Sequence, residues 1–270
     1  MASRLCLVER ERDGVVGVCK RLAPRAAEDE GMRQLLVAEG RVLERLAGRG
    51  APRLLASGED GLGPWIVMTR IEAPPLAARA GSLGARGAVV AAASLFRALA
   101  AVHACEVVHS DVSPSNVLLS DRALAGDRLS SGLAGPLPRH EASATLVDFG
   151  LCRWDGAPAP PPGPFRGTLL YAAPELARGE PFDRRADLFS AAAALLHIHS
   201  GQPPRSQRSD AAMLLAAGDE PIDPWSVGAS ADLPAPARDA LVACCAFDAA
   251  NRPLSADEAL DRFARKGREL

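Results

Sequence analysis

The sequence predicts an α+β fold of two unequal lobes, a small β-rich one over residues 1–72 and a larger helical one over residues 73–270. Three observations carry this. Short β-branched and apolar runs, Leu5 to Val8, Val15 to Lys20 and Trp65 to Thr69, alternate with turn signals before residue 72. An alanine-rich stretch punctuated by leucines, Ala85 to Val107, has the length and composition of a buried helix. The C-terminal third keeps helical character between breaks at Pro203-Pro204, Pro221 to Pro224 and Pro234 to Pro236.

Taken in order, Asp13-Gly14 lies between the first two runs and is a hairpin turn signal. Leu35, Leu36, Val42, Leu43 and Leu46 then recur at helical spacing around Glu39, which makes that stretch an amphipathic helix. Residues Thr69 to Pro75 connect the lobes. After the Ala85 to Val107 helix comes a loop, and then the apolar strand Val117 to Leu119. Ser120 to Ser143 is polar and contains Gly and Pro, as a surface loop does. Thr145 to Val147 reads as a further strand, Leu188 to Ile198 as a buried helix too short to cross a membrane, and Leu241 to Phe247 as a packed helix.

Composition sets bounds on function. With 270 residues, 48% of them hydrophobic, and a net charge of −2, the chain can bury a sizeable core and lacks the basic excess of a nucleic-acid binder. Six cysteines are scattered without metal-ligand spacing, which points to reduced core thiols in a cytoplasmic protein. No apolar run reaches the roughly 18 residues of a membrane span, and the N-terminus has no signal-peptide core, so no membrane partner is expected. His197 and His199, two residues apart on one helix, point to different faces and are not a metal pair.

The residues that carry chemistry lie beside these elements. In Val108-His109-Ser110-Asp111-Val112-Ser113-Pro114-Ser115-Asn116-Val117-Leu118-Leu119, Asp111 and Asn116 stand five residues apart in a loop that runs into a strand. One carboxylate there can orient an attacking hydroxyl and one amide oxygen can hold a metal ion, as phosphoryl transfer requires. Asp111 alone would read as a turn residue; its companions change that. They are Thr145-Leu146-Val147-Asp148-Phe149-Gly150, Gly167-Thr168-Leu169-Leu170-Tyr171-Ala172-Ala173-Pro174-Glu175, Asp187-Leu188-Phe189-Ser190 and Asn251-Arg252-Pro253. Upstream, Val18-Cys19-Lys20 ends a strand-like run and Glu39 lies on the helix that follows. In order and spacing, this set resembles the eukaryotic-type (Hanks-type) Ser/Thr protein kinase domains over essentially the whole chain.

The resemblance implies a bilobal protein-kinase-like fold using ATP and Mg²⁺. It assigns Asp111 as the base that orients the substrate hydroxyl, Asn116 and Asp148 as metal ligands, and Lys20, paired with Glu39, as the phosphate-binding cation. Adenine would lie between Leu5 and Val18 on one side and Leu118 on the other, with Met68 behind it and backbone groups around Thr69 to Ile71 reading its edge. Thr168 would stand beside Asp111, His109 would buttress the loop, and Arg252 would pair with Glu175. Pro114 and Gly167-Thr168 point to Ser/Thr hydroxyls on protein substrates. Ser110 and Ser113 depart from the family's usual Arg and Lys, and the interval from Asn116 to Asp148 is longer than usual. Aligned backwards from Lys20, Ser3 falls at the last glycine of the family's glycine-rich loop, so its first strand and other glycines lack counterparts here, and weak ATP binding is expected. No Ser, Thr or Tyr lies between Phe149 and Gly167, so phosphorylation there is not expected to be the switch. Three readings follow, in this order: an active Ser/Thr protein kinase, a pseudokinase scaffold, and a small-molecule kinase, the last set against by the Glu175 and Arg252 motifs.

Overall fold

A computed structural model of the chain describes residues 3–121, 124, 144–155, 157, 165–227 and 232–264. The expected loop over Ser120 to Ser143 and the proline run Pro158 to Pro164 lie almost wholly outside these residues. The chain opens with two antiparallel strands, β1 (Ser3–Arg10) and β2 (Val15–Leu22), in a register that sets Cys6 opposite Cys19 and Leu5 opposite Lys20. Their turn forms where expected. Gly14 adopts φ 68°, a left-handed conformation that glycine tolerates without a Cβ penalty, and the Asp13 carboxylate accepts from Val15 N–H and from Arg10.

The sheet has a strand that the sequence reading did not find. Its order is β1-β2-β4-β3, with β3 (Leu54–Asp60) and β4 (Gly63–Thr69) forming a second hairpin. Strand β3, Leu-Leu-Ala-Ser-Gly-Glu-Asp, has no apolar alternation because it lies largely exposed at an edge; its pairing to β4 makes it a strand, with a register shift between Leu54 and Ala56. A single turn, α1 (Pro24–Ala27), leads into α2 (Glu30–Leu46), whose N-terminus is capped by the Asp29 carboxylate accepting from Met32 N–H at 3.2 Å. The stripe Leu36, Glu39, Val42, Leu43 and Leu46 is buried, and Gly40 lets the helix lie close to the sheet: a Cβ there would come within 3.1 Å of Ile66. Full burial of each Leu contributes about 1.5–3 kcal/mol, so this stripe fixes the rotation of α2 and with it the side on which Glu39 falls.

The remainder is helical. Helix α3 (Ala85–His103) stops four residues short of the expected end, since Ala104 to Glu106 form a turn in which Glu106 takes φ 58°. By length and composition it is apolar enough to cross a membrane, a property the run-length reading overlooked because Arg86 and Arg97 interrupt the run; 61% of its most apolar window is buried inside the fold. It packs against α5 (Arg185–Ser200) and α9 (Ala256–Ala264), with the Phe96 and Phe263 rings 5.5 Å apart. Helix α5 is buried along almost its whole length, which explains its lack of an apolar stripe. Strands β5 (Val117–Leu118) and β6 (Thr145–Leu146) pair with each other, and α4 (Pro174–Ala177), α6 (Asp210–Asp219), α7 (Pro224–Val227) and α8 (Ala235–Cys244) complete the described helical part. The packed helix expected over Leu241 to Phe247 instead ends at Cys244. All six cysteines are free, and five are buried as expected; Cys6 is exposed and is not a core thiol.

Candidate active site

Lys20 reaches the site because β2 alternates: Val18 and Lys20 face one side while Cys19 faces the other. Its Nζ lies 2.9 and 2.7 Å from the two Glu39 carboxylate oxygens and 2.7 Å from Asp148 Oδ1. Two carboxylates thus share one ammonium. Burial pulls the Lys20 pKa down, but Glu39 and Asp148 outweigh it and the net shift is upward. Glu39, the more enclosed carboxylate, is pushed up by burial, which Lys20 only partly offsets. Asp148 is also raised by burial, yet Lys20 reverses this and holds it below the ordinary range.

Asp148 takes φ 65°, a left-handed conformation that Asp tolerates better than most residues, and its side chain stays about half exposed. Ser110 takes φ 67° just before Asp111. That strained turn is held from below by Asp187, in the first turn of α5, whose carboxylate accepts from the His109 and Ser110 N–H groups, each at 2.8 Å, and lies 2.8 Å from His103 Nε2. The His109 ring packs edge-on against Phe149 and meets the Val147 carbonyl at 3.1 Å, the buttressing position expected of it.

Asp111 is gripped from two sides. Thr168 N–H donates to its Oδ1 at 2.8 Å, and the Asn116 amide donates to the Asp111 Oδ2 and to the Asp111 backbone carbonyl, both at 3.0 Å. Burial raises the Asp111 carboxyl, with the Thr168 bonds and His109 acting in the opposite direction. Ser113 is buried. Because Asn116 spends its amide nitrogen on Asp111, its amide oxygen is left for another partner. That oxygen and the half-exposed Asp148 carboxylate are two hard oxygen donors, and no group of three or more His, Cys, Asp or Glu gathers among the described residues. Such a set fits Mg²⁺, which binds through one or two protein oxygens and completes its shell with phosphates and water.

The other expected site residues divide. Val18 and Met68 stand opposite each other between β2 and β4, Met68 buried and Val18 half-buried, and Leu118 is half-buried on β5. Leu5 is 67% exposed on the outermost strand. The Thr69 N–H is committed to the Arg53 carbonyl at 2.9 Å. Glu175 and Arg252 form a buried bidentate pair at 2.6 and 3.0 Å. Two residues escaped the sequence reading. Asp187 was placed on its helix, but its grip on the loop depends on a contact across 77 positions. Arg205, which follows the Pro203-Pro204 break and carries no motif, is buried and donates to the Leu169 and Leu170 carbonyls at 3.3 and 3.1 Å just after Thr168. Burial lowers its pKa to about 10, and its Nη2 has no partner among the described residues.

Lys20, fixed by Glu39 on α2, meets Asp148 of the Asp-Phe-Gly turn beside the Asp111 and Asn116 loop, the arrangement of the protein-kinase class. The family model for the protein kinase domain matches residues 3–262, and the chain belongs to that family. It is similar to the serine/threonine-protein kinase PknJ of Mycobacterium tuberculosis, at 32% identity over 205 residues covering 74% of this chain and 32% of that protein. PknL of the same species is 29% identical over 224 residues, covering 82% of this chain and 51% of that protein. The DNA damage-responsive serine/threonine-protein kinase RqkA of Deinococcus radiodurans is 32% identical over 227 residues, covering 80% of this chain and 31% of that protein. The chain therefore spans about a third to a half of the length of these relatives.

Proposed function

We propose that the chain transfers the γ-phosphoryl group of ATP to Ser or Thr hydroxyls of protein substrates, with residues 1–72 and 73–270 as the two lobes that enclose the nucleotide. The observation that carries this reading is the Lys20 ammonium held by Glu39 and Asp148 at 2.7 Å, with Asp111 and Asn116 bonded to each other in the neighbouring loop. Lys20 would neutralise charge on the phosphates, fixed in place by Glu39. Asp111, aligned by Thr168 N–H and the Asn116 amide, would orient the attacking hydroxyl and take its proton as the new bond to phosphorus forms. Mg²⁺ held by Asn116 and Asp148 would supply charge neutralisation across the phosphates. Leu5, Val18, Met68 and Leu118 would supply apolar walls for adenine, with Thr69 to Ile71 at its edge. The buried Glu175 and Arg252 pair, which anchors α4 after the Gly167 to Tyr171 segment, supports a protein substrate rather than a small molecule. The relatives' names support Ser/Thr specificity, and the free thiols suit a cytoplasmic setting.

The test incubates the purified chain with γ-labelled ATP, Mg²⁺ and a generic basic protein. Label on Ser or Thr of that protein, absent with Asp111→Asn, is the expected result. A folded sample that binds Mg-ATP and transfers no label to any protein would overturn the assignment.

A further inference from the structure

The outer face of the β1–β2 hairpin carries a pair of thiols that the phosphotransfer site does not use. Cys6 and Cys19 are direct partners in the antiparallel register, so their side chains leave the same face of the hairpin. Directly opposed residues in such a ladder have Cα atoms about 4.5–5.5 Å apart, inside the range that a disulfide spans. The two residues already touch: the Cys6 thiol donates to the Cys19 backbone carbonyl at 3.9 Å. Their accessibility differs in a useful way. Cys6 is exposed, whereas Cys19 is only 4% exposed, and burial pushes its thiol pKa up, with the nearby Arg21 guanidinium offsetting this only in part. Cys105, Cys152, Cys244 and Cys245 are all buried.

We propose that Cys6 and Cys19 form a reversible thiol–disulfide site that staples β1 to the strand carrying Lys20. Cys6 is the attacking thiol and Cys19 the resolving one, and the oxidant is a low-molecular-weight disulfide such as oxidised glutathione. The Cys6 thiolate attacks one sulfur of that disulfide, forming a mixed disulfide and expelling one glutathione thiolate. The Cys19 thiol gives up its proton and attacks Cys6 Sγ, forming the Cys6–Cys19 bond and expelling the second glutathione. The two protein thiols lose two electrons, the small disulfide gains them, and the two protons leave on the released thiols. Because Cys19 immediately precedes Lys20, the bond ties the edge strand to the backbone that presents the ammonium to Glu39.

The test treats the full native chain with excess oxidised glutathione, counts free thiols, and maps peptides without reduction. The expected result is loss of two of the six thiols, a cross-linked peptide pair joining Cys6 to Cys19, and recovery of both thiols with dithiothreitol. Cys19→Ser should trap glutathione on Cys6, and Cys6→Ser should leave Cys19 unmodified while the fold persists. Amide hydrogen exchange along β1 should slow on oxidation of the parent and not of either variant. Stable glutathione on Cys6 in the parent chain, with no Cys6–Cys19 peptide, overturns the proposal, as does equal reaction of Cys105, Cys152, Cys244 and Cys245 under native conditions.

Discussion

Asp111 is held between Thr168 and Asn116 at a cost to stability. Burial raises its pKa, so the folded chain keeps a proton on it to higher pH than the unfolded chain does. Stability from this group is therefore fully present below the unfolded carboxylate pKa and is lost as pH climbs through the higher folded value. Asn in its place keeps the bond from Thr168 N–H and carries no charge to desolvate. Asp111→Asn is expected to abolish phosphoryl transfer and to melt at or above the parent temperature near pH 7, with the difference closing as the pH falls to the acid range. Melting curves at a series of pH values check this, with each kcal/mol worth about 2–4 °C in a chain of this size. A variant that turns over as fast as the parent would falsify the role proposed for Asp111. The residue itself could be picked out from its loop sequence. Its dependence on Thr168, 57 positions away, could not.

At the scale of elements, single contacts hold whole segments in place. Helix α4 is tied to the turn before α9 by Glu175 and Arg252, and Arg252 also donates to the Ala246, Phe247 and Arg185 carbonyls. Glu175→Gln leaves a buried guanidinium without its counter-charge and is expected to lower unfolding free energy by about 3–5 kcal/mol. Chemical denaturation measures it. Pairing the change with Arg252→Met should recover little, since three carbonyls then lose their donor. The link between α2 and β3 rests on Gly50, at φ 68°, whose carbonyl accepts from Leu146 N–H on β6 at 2.8 Å. A Cβ at Gly50 would fall 2.5 Å from the Ala98 carbonyl oxygen in α3. Gly50→Ala is expected to cost about 1–2 kcal/mol from backbone conformation alone, with the clash added to that. A melting temperature within 1 °C of the parent, on the order of a quarter to a half of a kcal/mol here, would contradict this account.

For the whole molecule, the proposed Mg-ATP site would link the lobes, since Lys20 comes from the sheet and Asp148 and Asn116 from the helical part. Saturating Mg-ATP at about 100 times its dissociation constant is expected to stabilise the folded chain by about 2.7 kcal/mol. Thermal shift assays with and without Mg-ATP measure this, and Lys20→Ala should shrink the shift relative to its own unliganded baseline. An unchanged melting temperature for a folded parent sample at saturating Mg-ATP counts against a nucleotide site in this cleft.

What the sequence determined by itself was local or periodic: the apolar stripe of α2 that turns Glu39 inward, the Asp13-Gly14 hairpin, the Asp/Asn loop, and the order of motifs that places a kinase-like cleft between two lobes. Those signals lie within a few residues of one another, where backbone preference and side-chain spacing act directly. The tertiary structure decided what depends on distant partners. Strand β3 exists because β4 offers it a ladder, not because its own residues alternate. Helix α3 reads as apolar enough for a membrane until α5 and α9 cover it. Asp187 is one acidic residue at a helix start until the fold brings two loop N–H groups within 2.8 Å of it, and Cys6 and Cys19 become a pair only through the register of two strands. A charge or thiol carries no mark in sequence of the group that will face it, because that pairing is fixed by how the elements pack.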